Sequence, residues 1–171
     1  PELKELNDLM WDYTLRGGKR IRPGLCLLSA VAYGGDESTA IPAAISLELF
    51  HNFVLVHDDF EDGSDERRGK PCLHKMIGPE LAINVGDGVY AKVFEAILLK
   101  KDELGNEKAL KLIKEMLDLT YRTMQGQHVE LSWMVKNKFD QTFDDYYFMA
   151  EHKTAWYSAC YPIRMGAICA G

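Results

Sequence analysis

The sequence has few cysteines and no long apolar run, and each shortage excludes a class of protein. Its four cysteines form no CxxC pair and have no histidine at zinc-finger spacing. We therefore expect free thiols in a reducing compartment, not a disulfide framework or a structural zinc site. No uninterrupted run of about 18 apolar residues occurs, and no signal peptide is recognisable. These shortages predict a cytoplasmic protein without stable membrane insertion.

An excess of positive charge is also missing. The chain of 171 residues has 20 Lys and Arg against 26 Asp and Glu, a formal net charge of −6. Nonspecific binding to nucleic acid normally needs a basic face, so no nucleic-acid partner is expected. A local cluster of bases would still allow a small ligand that carries phosphate.

Strand signals are scarce, and helical spacing of apolar residues dominates between clusters of glycine and proline. The pattern predicts an all-α fold in a single domain, residues 1–171. Helices are predicted over 3–15, 22–33, from an N-cap at Ser38 to Glu61, over 80–100, over 107–134, and from 142 to the end of the chain.

The third predicted helix is unusually apolar. Between Ile41 and Val56 apolar residues fall on nearly every face, which predicts a helix that is buried all round. Its C-terminal end, "HDDFED", then carries a group of acids.

Two of these acids, Asp58 and Asp62, are four residues apart and would project from nearly the same helix face, with Asp59 beside them. Crowded, partly buried carboxylates repel each other and lose solvation, and a divalent cation removes both costs. Oxygen ligands without cysteine or clustered histidine favour Mg²⁺. The sequence therefore predicts a magnesium site at Asp58, Asp59 and Asp62.

Three bases, Arg67, Arg68 and Lys70, follow the acids closely in the segment "RRGKP". Mg²⁺ commonly shares its ligands with substrate phosphates, and arginine suits bidentate contact with phosphate oxygens. The alternative is a salt-bridged surface turn, which the charges alone would also fit.

Six short motifs resemble, in order, those of the trans-isoprenyl diphosphate synthases, also called polyprenyl synthetases. They are "GGKRIRP" at 17–23, "HNFVLVHDDFED" at 51–62, "RRGKP" at 67–71, "GDG" at 86–88, "GQHVEL" at 126–131 and "HKTA" at 152–155. The resemblance implies a bundle of mostly antiparallel helices around a central cavity. It also implies Mg²⁺-dependent, head-to-tail condensation of isopentenyl diphosphate with an allylic diphosphate.

The resemblance also implies residue roles. Asp58, Asp59 and Asp62 would bind Mg²⁺ at the allylic diphosphate, with Asp58, Asp59 and Lys153 as the catalytic residues. The residues implied to contact the two substrates are Arg67, Gln127, Lys153 and Thr154 for the allylic diphosphate, and Lys19, Arg22, His51 and Arg68 for isopentenyl diphosphate.

Simpler explanations exist for several of these residues. A basic helix start could account for Lys19, Arg20 and Arg22. His51 could be a core histidine, and Lys153 with Thr154 could be ordinary helix residues. Asp87, between two glycines, has no role that the sequence indicates.

The segment "DDYYF" at 144–148 resembles an aspartate motif but has Phe148 in place of the third acid. We expect it to cap the last helix, and we expect Tyr146, Tyr147 and Phe148 to pack.

Product length in this family depends on the depth of the tunnel below the first aspartates. Phe53, five residues before Asp58, is bulky enough to form its floor, while the neighbouring Val54 is modest in size. The two-residue spacing before Asp62 resembles that of archaeal-type geranylgeranyl diphosphate synthases. The expected product is therefore C20, with C15 as the alternative.

The second aspartate-rich motif of the family is absent. The chain also starts without methionine and stops within an apolar helical pattern, so we expect the N-terminal and central part of the domain, inactive by itself. The alternative function is a noncatalytic regulatory or partner subunit of a heteromeric synthase. It is weakened by the intact acids and bases of the first motif.

Members of the family are usually homodimers, with helices of the region 80–100 partly at the interface. Apolar positions there could serve that interface or the internal core; they are Leu81, Ile83, Val85, Val89, Val93, Ile97 and Leu98.

Overall fold

The computed structural model describes residues 2–171, and helices dominate it. The elements are α1 (Glu2–Leu15), α2 (Ile21–Ala32), α3 (Glu37–Glu61), β1 (Glu66–Arg67), β2 (Lys70–Pro71), α4 (Leu73–Ile77), α5 (Pro79–Leu98), α6 (Lys101–Leu104), α7 (Asn106–Val135), α8 (Phe143–Ala150), a π-helical segment (Glu151–Cys160) and α9 (Tyr161–Ala170). The predicted all-α class is confirmed. Its only strands in the described residues form one antiparallel hairpin, with Arg67 opposite Lys70.

The helix ends follow the local sequence closely. Gly17 and Gly18 have φ of +89° and +140°, a backbone region that favours glycine, and they separate α1 from α2. The predicted N-cap of α3 was wrong by two residues. Asp36 is the cap, and its carboxylate accepts a hydrogen bond from the Ser38 N–H at 2.7 Å.

The helix α3 lies at the centre of the fold and packs against α2, α5 and α9. Leu47 and Phe50 on this helix are completely buried. Burial on every face, however, was wrong, because Ile41 and Ile45 are each 47% exposed. By length and composition α3 could also cross a membrane, but 67% of its most apolar window is buried inside this fold.

The apolar residues of α5 divide between core and surface. The core takes Val85, Val89, Val93 and Ile97, whereas Leu81, Ile83 and Leu98 remain exposed. One helix therefore contributes to the interior and also presents an apolar outer face.

The region from residue 142 onward, predicted as one helix, consists of three helical segments: α8, the π-helical segment and α9. Thr142 caps α8 in a reciprocal arrangement with Asp145, whose N–H donates to the Thr142 hydroxyl at 3.2 Å. The predicted cap is thus confirmed. The predicted packing of the aromatics was wrong, since Tyr146, Tyr147 and Phe148 are all exposed.

All four cysteines are free thiols, as the sequence predicted; Cys26, Cys72 and Cys169 are buried and Cys160 is exposed.

Candidate functional site

Two of the predicted acids meet at the C-terminal end of α3. The Asp62 N–H donates to the Asp58 carbonyl at 2.8 Å, so the two side chains leave the same face one turn apart. Burial and the neighbouring Asp58 carboxylate raise the pKa of Asp62 above its ordinary value. A cation near this pair would relieve that repulsion.

Lys153 supplies one such cation. It lies in the π-helical segment, and its ammonium group bonds to Glu130 of α7 and lies 3.5 Å from the Asp58 Oδ1. Burial by itself would lower the pKa of Lys153, but Glu130 and Asp58 raise it above the ordinary value. Lys153 is therefore a charged group held beside the aspartates, not an ordinary exposed helix residue.

A glycine fixes the distance between Lys153 and α7. A Cβ atom at Gly126 would lie 2.2 Å from the Lys153 backbone nitrogen, which no side chain tolerates. The next residue, Gln127, donates to the Glu61 carboxylate at 2.6 Å. Thr154, by contrast, points to solvent and is exposed.

Asp59 has a different environment from its neighbours. It is completely buried, and the Arg67 Nε donates to its two oxygens at 2.9 and 3.1 Å while the Tyr13 hydroxyl donates at 2.7 Å. Although burial favours the neutral acid, the bonds from Arg67 and Tyr13 lower the pKa of Asp59. Its carboxylate is thus an ionised anchor for Arg67.

These contacts set Asp59 apart from Asp58 and Asp62, the other two residues of the predicted magnesium site, which stays a prediction. Within residues 2–171, no group of three or more His, Cys, Asp or Glu side chains is arranged to hold a metal ion. Asp59 points into the fold, and its oxygens are engaged by Arg67 and Tyr13. Asp58 and Asp62 remain, and a pair of carboxylates fits Mg²⁺, which takes its other ligands from water and phosphate.

A second, basic region contains Arg22 and Arg68, two of the residues that the resemblance assigns to isopentenyl diphosphate. Arg68 donates to the Tyr13 carbonyl at 2.7 Å, and Arg22 donates to the Ser158 hydroxyl at 2.8 Å. Arg20 bonds to Glu48 and to the Thr14 carbonyl. These contacts hold the guanidinium groups in place without a ligand.

His51 lies among these arginines. Its Nδ1 is 2.9 Å from the Tyr157 hydroxyl, and the Arg22 guanidinium stacks on the Tyr157 ring at 4.0 Å. Burial, followed by the positive charges of Arg22 and Arg68, lowers the pKa of His51 to about 3. Lys19 is exposed in the loop before α2. The structure thus brings Arg22, His51 and Arg68 into one positive environment.

A small cavity of about 40 Å³ lies directly below the acids, between α3 and α7. Its lining residues are Phe53, Val54, His57, Glu61, Thr123, Met124 and Gln127. The Phe53 ring packs on Tyr90 of α5 with centroids 4.7 Å apart. Phe53 and Val54 therefore line the cavity nearest the acids, and their role as a tunnel floor stays a prediction.

Asp87, for which the sequence indicated no role, lies beside His57 of α3. The His57 Nε2 lies 3.5 Å from the Asp87 Oδ1. A Cβ atom at the adjacent Gly86 would lie 2.4 Å from the same His57 nitrogen. The "GDG" motif therefore lets α5 approach α3 immediately before Asp58.

Comparison with protein families gives one match that covers nearly all of the chain. The family model for polyprenyl synthetase matches residues 3–171. This chain belongs to the polyprenyl synthetase family.

The curated relatives of this polyprenyl synthetase chain are longer than it is. A short chain isoprenyl diphosphate synthase of Methanocaldococcus jannaschii is 38% identical over 138 residues, which are 81% of this chain and 40% of the relative. A geranylgeranyl diphosphate synthase of Methanosarcina mazei is 36% identical over 156 residues, 91% of this chain and 46% of the relative. The chain therefore spans less than half the length of these two curated relatives.

Solved structures of the family confirm the fold. The crystal structure of geranylgeranyl pyrophosphate synthetase from Pyrococcus horikoshii superposes with a TM-score of 0.92 at 34% identity. The match covers 99% of this chain and 50% of that protein. The bundle described above is thus the fold of the corresponding half of a polyprenyl synthetase.

Sequence reasoning missed several residues that build the site. Glu130 holds Lys153, Tyr157 contacts His51, and Tyr13 contacts Asp59. A usable signal existed for two of them. Glu130 lies in the quoted motif "GQHVEL", and Tyr157 follows Lys153 by four residues, a spacing that places both on one helix face. Tyr13 carried no such signal.

Proposed function

We propose that the protein carrying this chain is a short-chain prenyltransferase. It would condense isopentenyl diphosphate with an allylic diphosphate and release geranylgeranyl diphosphate. The observation that carries the proposal is the meeting of Asp58, Asp62 and Lys153 beside an arginine and histidine region, directly above an aromatic-floored cavity. The relatives, which include geranylgeranyl diphosphate synthases, support the same substrate class.

The reaction would begin with ionisation of the allylic carbon–oxygen bond, which leaves negative charge on the departing diphosphate. Asp58 and Asp62 would hold Mg²⁺, which neutralises developing phosphate charge when bound. Lys153 would stabilise the same anion through its ammonium group. Its three N–H donors allow it to contact the diphosphate as well as Glu130.

Arg22, Arg68 and His51 would hold the diphosphate of isopentenyl diphosphate. The neutral imidazole of His51 can donate one hydrogen bond while the arginines supply charge. The apolar cavity wall would exclude water from the carbocation. Attack by the isopentenyl double bond forms the new carbon–carbon bond, and transfer of a proton to the released diphosphate restores an alkene.

Product length is proposed to be C20, with C15 as the alternative. Phe53 is 8% exposed and rests on Tyr90, so the growing chain would meet a two-ring floor. Val54 beside it lines the same cavity.

We also propose that the protein is a cytoplasmic homodimer. An apolar groove of about 590 Å³ runs along the outer face of α1, α3 and α5. Its apolar lining includes Trp11, Ile41, Ile45, Ala96 and Leu99, and its rim carries Lys92, Glu95, Lys100 and Glu103. A rim with both charge signs is suited to a two-fold interface, in which one surface meets its own copy.

The test is a product assay of the full-length protein with isopentenyl diphosphate and dimethylallyl, geranyl or farnesyl diphosphate, with Mg²⁺ or EDTA. We expect a Mg²⁺-dependent C20 product. Asp58→Asn should lower kcat by about 100-fold or more, since it removes transition-state charge stabilisation. Asp65→Asn is the matched control, because the side chain of Asp65 is 87% exposed and pairs only with Lys75.

A folded protein that elongates no primer would contradict the proposal. A noncatalytic partner subunit would then be indicated if the protein still raised the activity of a catalytic relative. One related protein is named as the large subunit of a heterodimeric geranylgeranyl pyrophosphate synthase, but the intact cluster at Asp58, Asp62 and Lys153 favours the enzyme.

A further inference from the structure

Arg16, directly after α1, contacts Asp12, Tyr13 and the backbone of the β1–β2 hairpin. Its side chain is 1% exposed, and its Nε bonds to Asp12 at 2.5 Å. One terminal nitrogen donates to three carbonyls, those of Arg67 at 3.0 Å, Lys70 at 3.3 Å and Pro71 at 2.9 Å. The guanidinium carbon lies 4.5 Å from the centre of the Tyr13 ring. The buried side chain of Arg16 thus joins the end of α1 to the backbone of the β1–β2 hairpin.

The hairpin needs an external anchor. Each strand has two residues, and isolated two-stranded hairpins are marginal even when longer. Its turn residues, Arg68 and Gly69, have φ of +56° and +75°, the signs that a type I′ turn requires. Positive φ is unfavourable for arginine, so Arg68 keeps this conformation only if the hairpin is held from outside.

The hairpin that Arg16 holds carries Arg67 and Arg68, the two bases assigned to the substrates. Arg67 lies in β1 and reaches Asp59, while Arg68 turns towards Tyr13 and the Asn52 side chain. Displacement of the hairpin would therefore move both guanidinium groups together.

We infer that Arg16 is a positioning residue for diphosphate binding. It touches no substrate, and it acts by fixing the backbone from which Arg67 and Arg68 project. Arginine is required because its planar fork presents several donors at fixed angles, whereas lysine is a single flexible charge. The inference rests on the proposed function, since that function assigns Arg67 and Arg68 to the two diphosphates.

The test compares Arg16→Lys with Arg164→Lys in the full-length protein. Arg164 is a suitable control because it also bonds to a carboxylate, Glu115, and lies over the Tyr161 ring. We expect Arg16→Lys to raise the KM for both diphosphates about tenfold while kcat changes less than about threefold, because the charge is retained but the fork is lost. Arg164→Lys should behave as the unmodified protein.

A second readout does not depend on turnover. Titration calorimetry with inorganic pyrophosphate and Mg²⁺ should show about tenfold weaker binding in Arg16→Lys and no change in Arg164→Lys. A purely structural role would lower the melting temperature without changing either constant in the protein that remains folded.

If Arg16→Lys does not fold, Asp12→Ala decides the question. This variant leaves Arg16 in place and removes the carboxylate that orients its Nε, so a rise in pyrophosphate Kd of about threefold is expected. Unchanged KM and Kd in the folded variants would overturn the inference. If Arg16→Lys weakens pyrophosphate binding but the unmodified protein forms no product, the proposed function is overturned and the inference stands.

Discussion

Asp58 and Asp59 are adjacent in the sequence but have opposite roles in the structure. Consecutive helix residues project about 100° apart, so Asp58 faces Lys153 while Asp59 faces Arg67. Asp58 is available to a ligand, and Asp59 is buried as the partner of an arginine. In the proposed function, the aspartate pair would therefore supply one metal ligand, Asp58, and one residue that holds Arg67, Asp59.

The environment of His51 makes stability depend on pH. Its pKa is lowered to about 3 in the folded protein, against about 6.5 in an unfolded chain. Below pH 6.5 the unfolded state therefore binds more protons at His51 than the folded state does. The stabilising contribution of neutral His51 is fully present above that pH and is lost as the pH falls towards 3, by up to about 1.4 kcal/mol per pH unit.

His51→Gln should therefore flatten the decline in unfolding free energy between pH 6.5 and 5, measured by urea unfolding. His152→Gln is the control, because His152 is partly exposed and its ring contacts Phe148, by stacking and by a 2.9 Å contact between its Nδ1 and the Phe148 carbonyl. Equal slopes for His51→Gln and the unmodified protein would show that His51 is not the group responsible.

Sequence reasoning found the residues that carry charge in motifs but not those that position them. Asp58, Arg67, His51 and Lys153 could be predicted because their motifs are short and ordered. The contact of Tyr13 with Asp59 joins residues 46 positions apart, and no local pattern encodes such a pair. The burial of Asp59 could not be predicted for the same reason, because it depends on where the β1–β2 hairpin packs.

At the scale of elements, the π-helical segment sets the position of Lys153. Single π turns are frequent at functional sites, and here the segment spans ten residues. It meets α7 at Gly126, where only a glycine fits. The backbone contact between the two elements thus determines where the Lys153 ammonium group lies.

Gly126→Ala should push the two backbones apart and lower kcat by about tenfold or more. We also expect a loss of about 1–3 kcal/mol in unfolding free energy, as in other overpacked sites. Measurement of kcat and of chemical unfolding on the full-length protein would check both effects.

The control for this variant is Gly24→Ala in α2. A Cβ atom at Gly24 would meet nothing within 4 Å, so alanine should leave kcat unchanged and add up to about 1 kcal/mol of stability. Similar behaviour of the two variants would argue against the contact at Gly126.

Helix positions were largely predictable, whereas helix type and exact caps were not. Periodicity located α1, α2, α3, α5 and α7 within a few residues. Asp36 and Ser38 are both good capping residues, and only the backbone conformation, which is extended at Asp36, decides between them. A π-helical segment has no distinct composition, and its stability here comes from packing against α7.

For the whole molecule, the exposed apolar face of α3 and α5 predicts association. Ile45 lies in the groove and is 47% exposed, so Ile45→Asp would place a carboxylate within the proposed interface. We expect the dimer dissociation constant to rise by about 100-fold or more, since an unpaired buried charge is strongly unfavourable. Light scattering after gel filtration, over a range of concentrations, would measure this change.

Ile163→Asp is the matched control, because Ile163 is 42% exposed on α9, away from the groove. It should remain dimeric. A monomeric unmodified protein, or identical dissociation constants for the two variants, would contradict the proposed homodimer.

The contacts of α1 have a consequence for local unfolding. Only Met10 and Tyr13 on this helix are buried, so α1 should detach from the bundle at a lower free-energy cost than α3. Its detachment would remove Tyr13 and Arg16 together, releasing Asp59 and the hairpin at once. The region proposed to bind diphosphate would therefore form only while the first helix is docked, and a bound diphosphate should slow hydrogen exchange at the amides of α1.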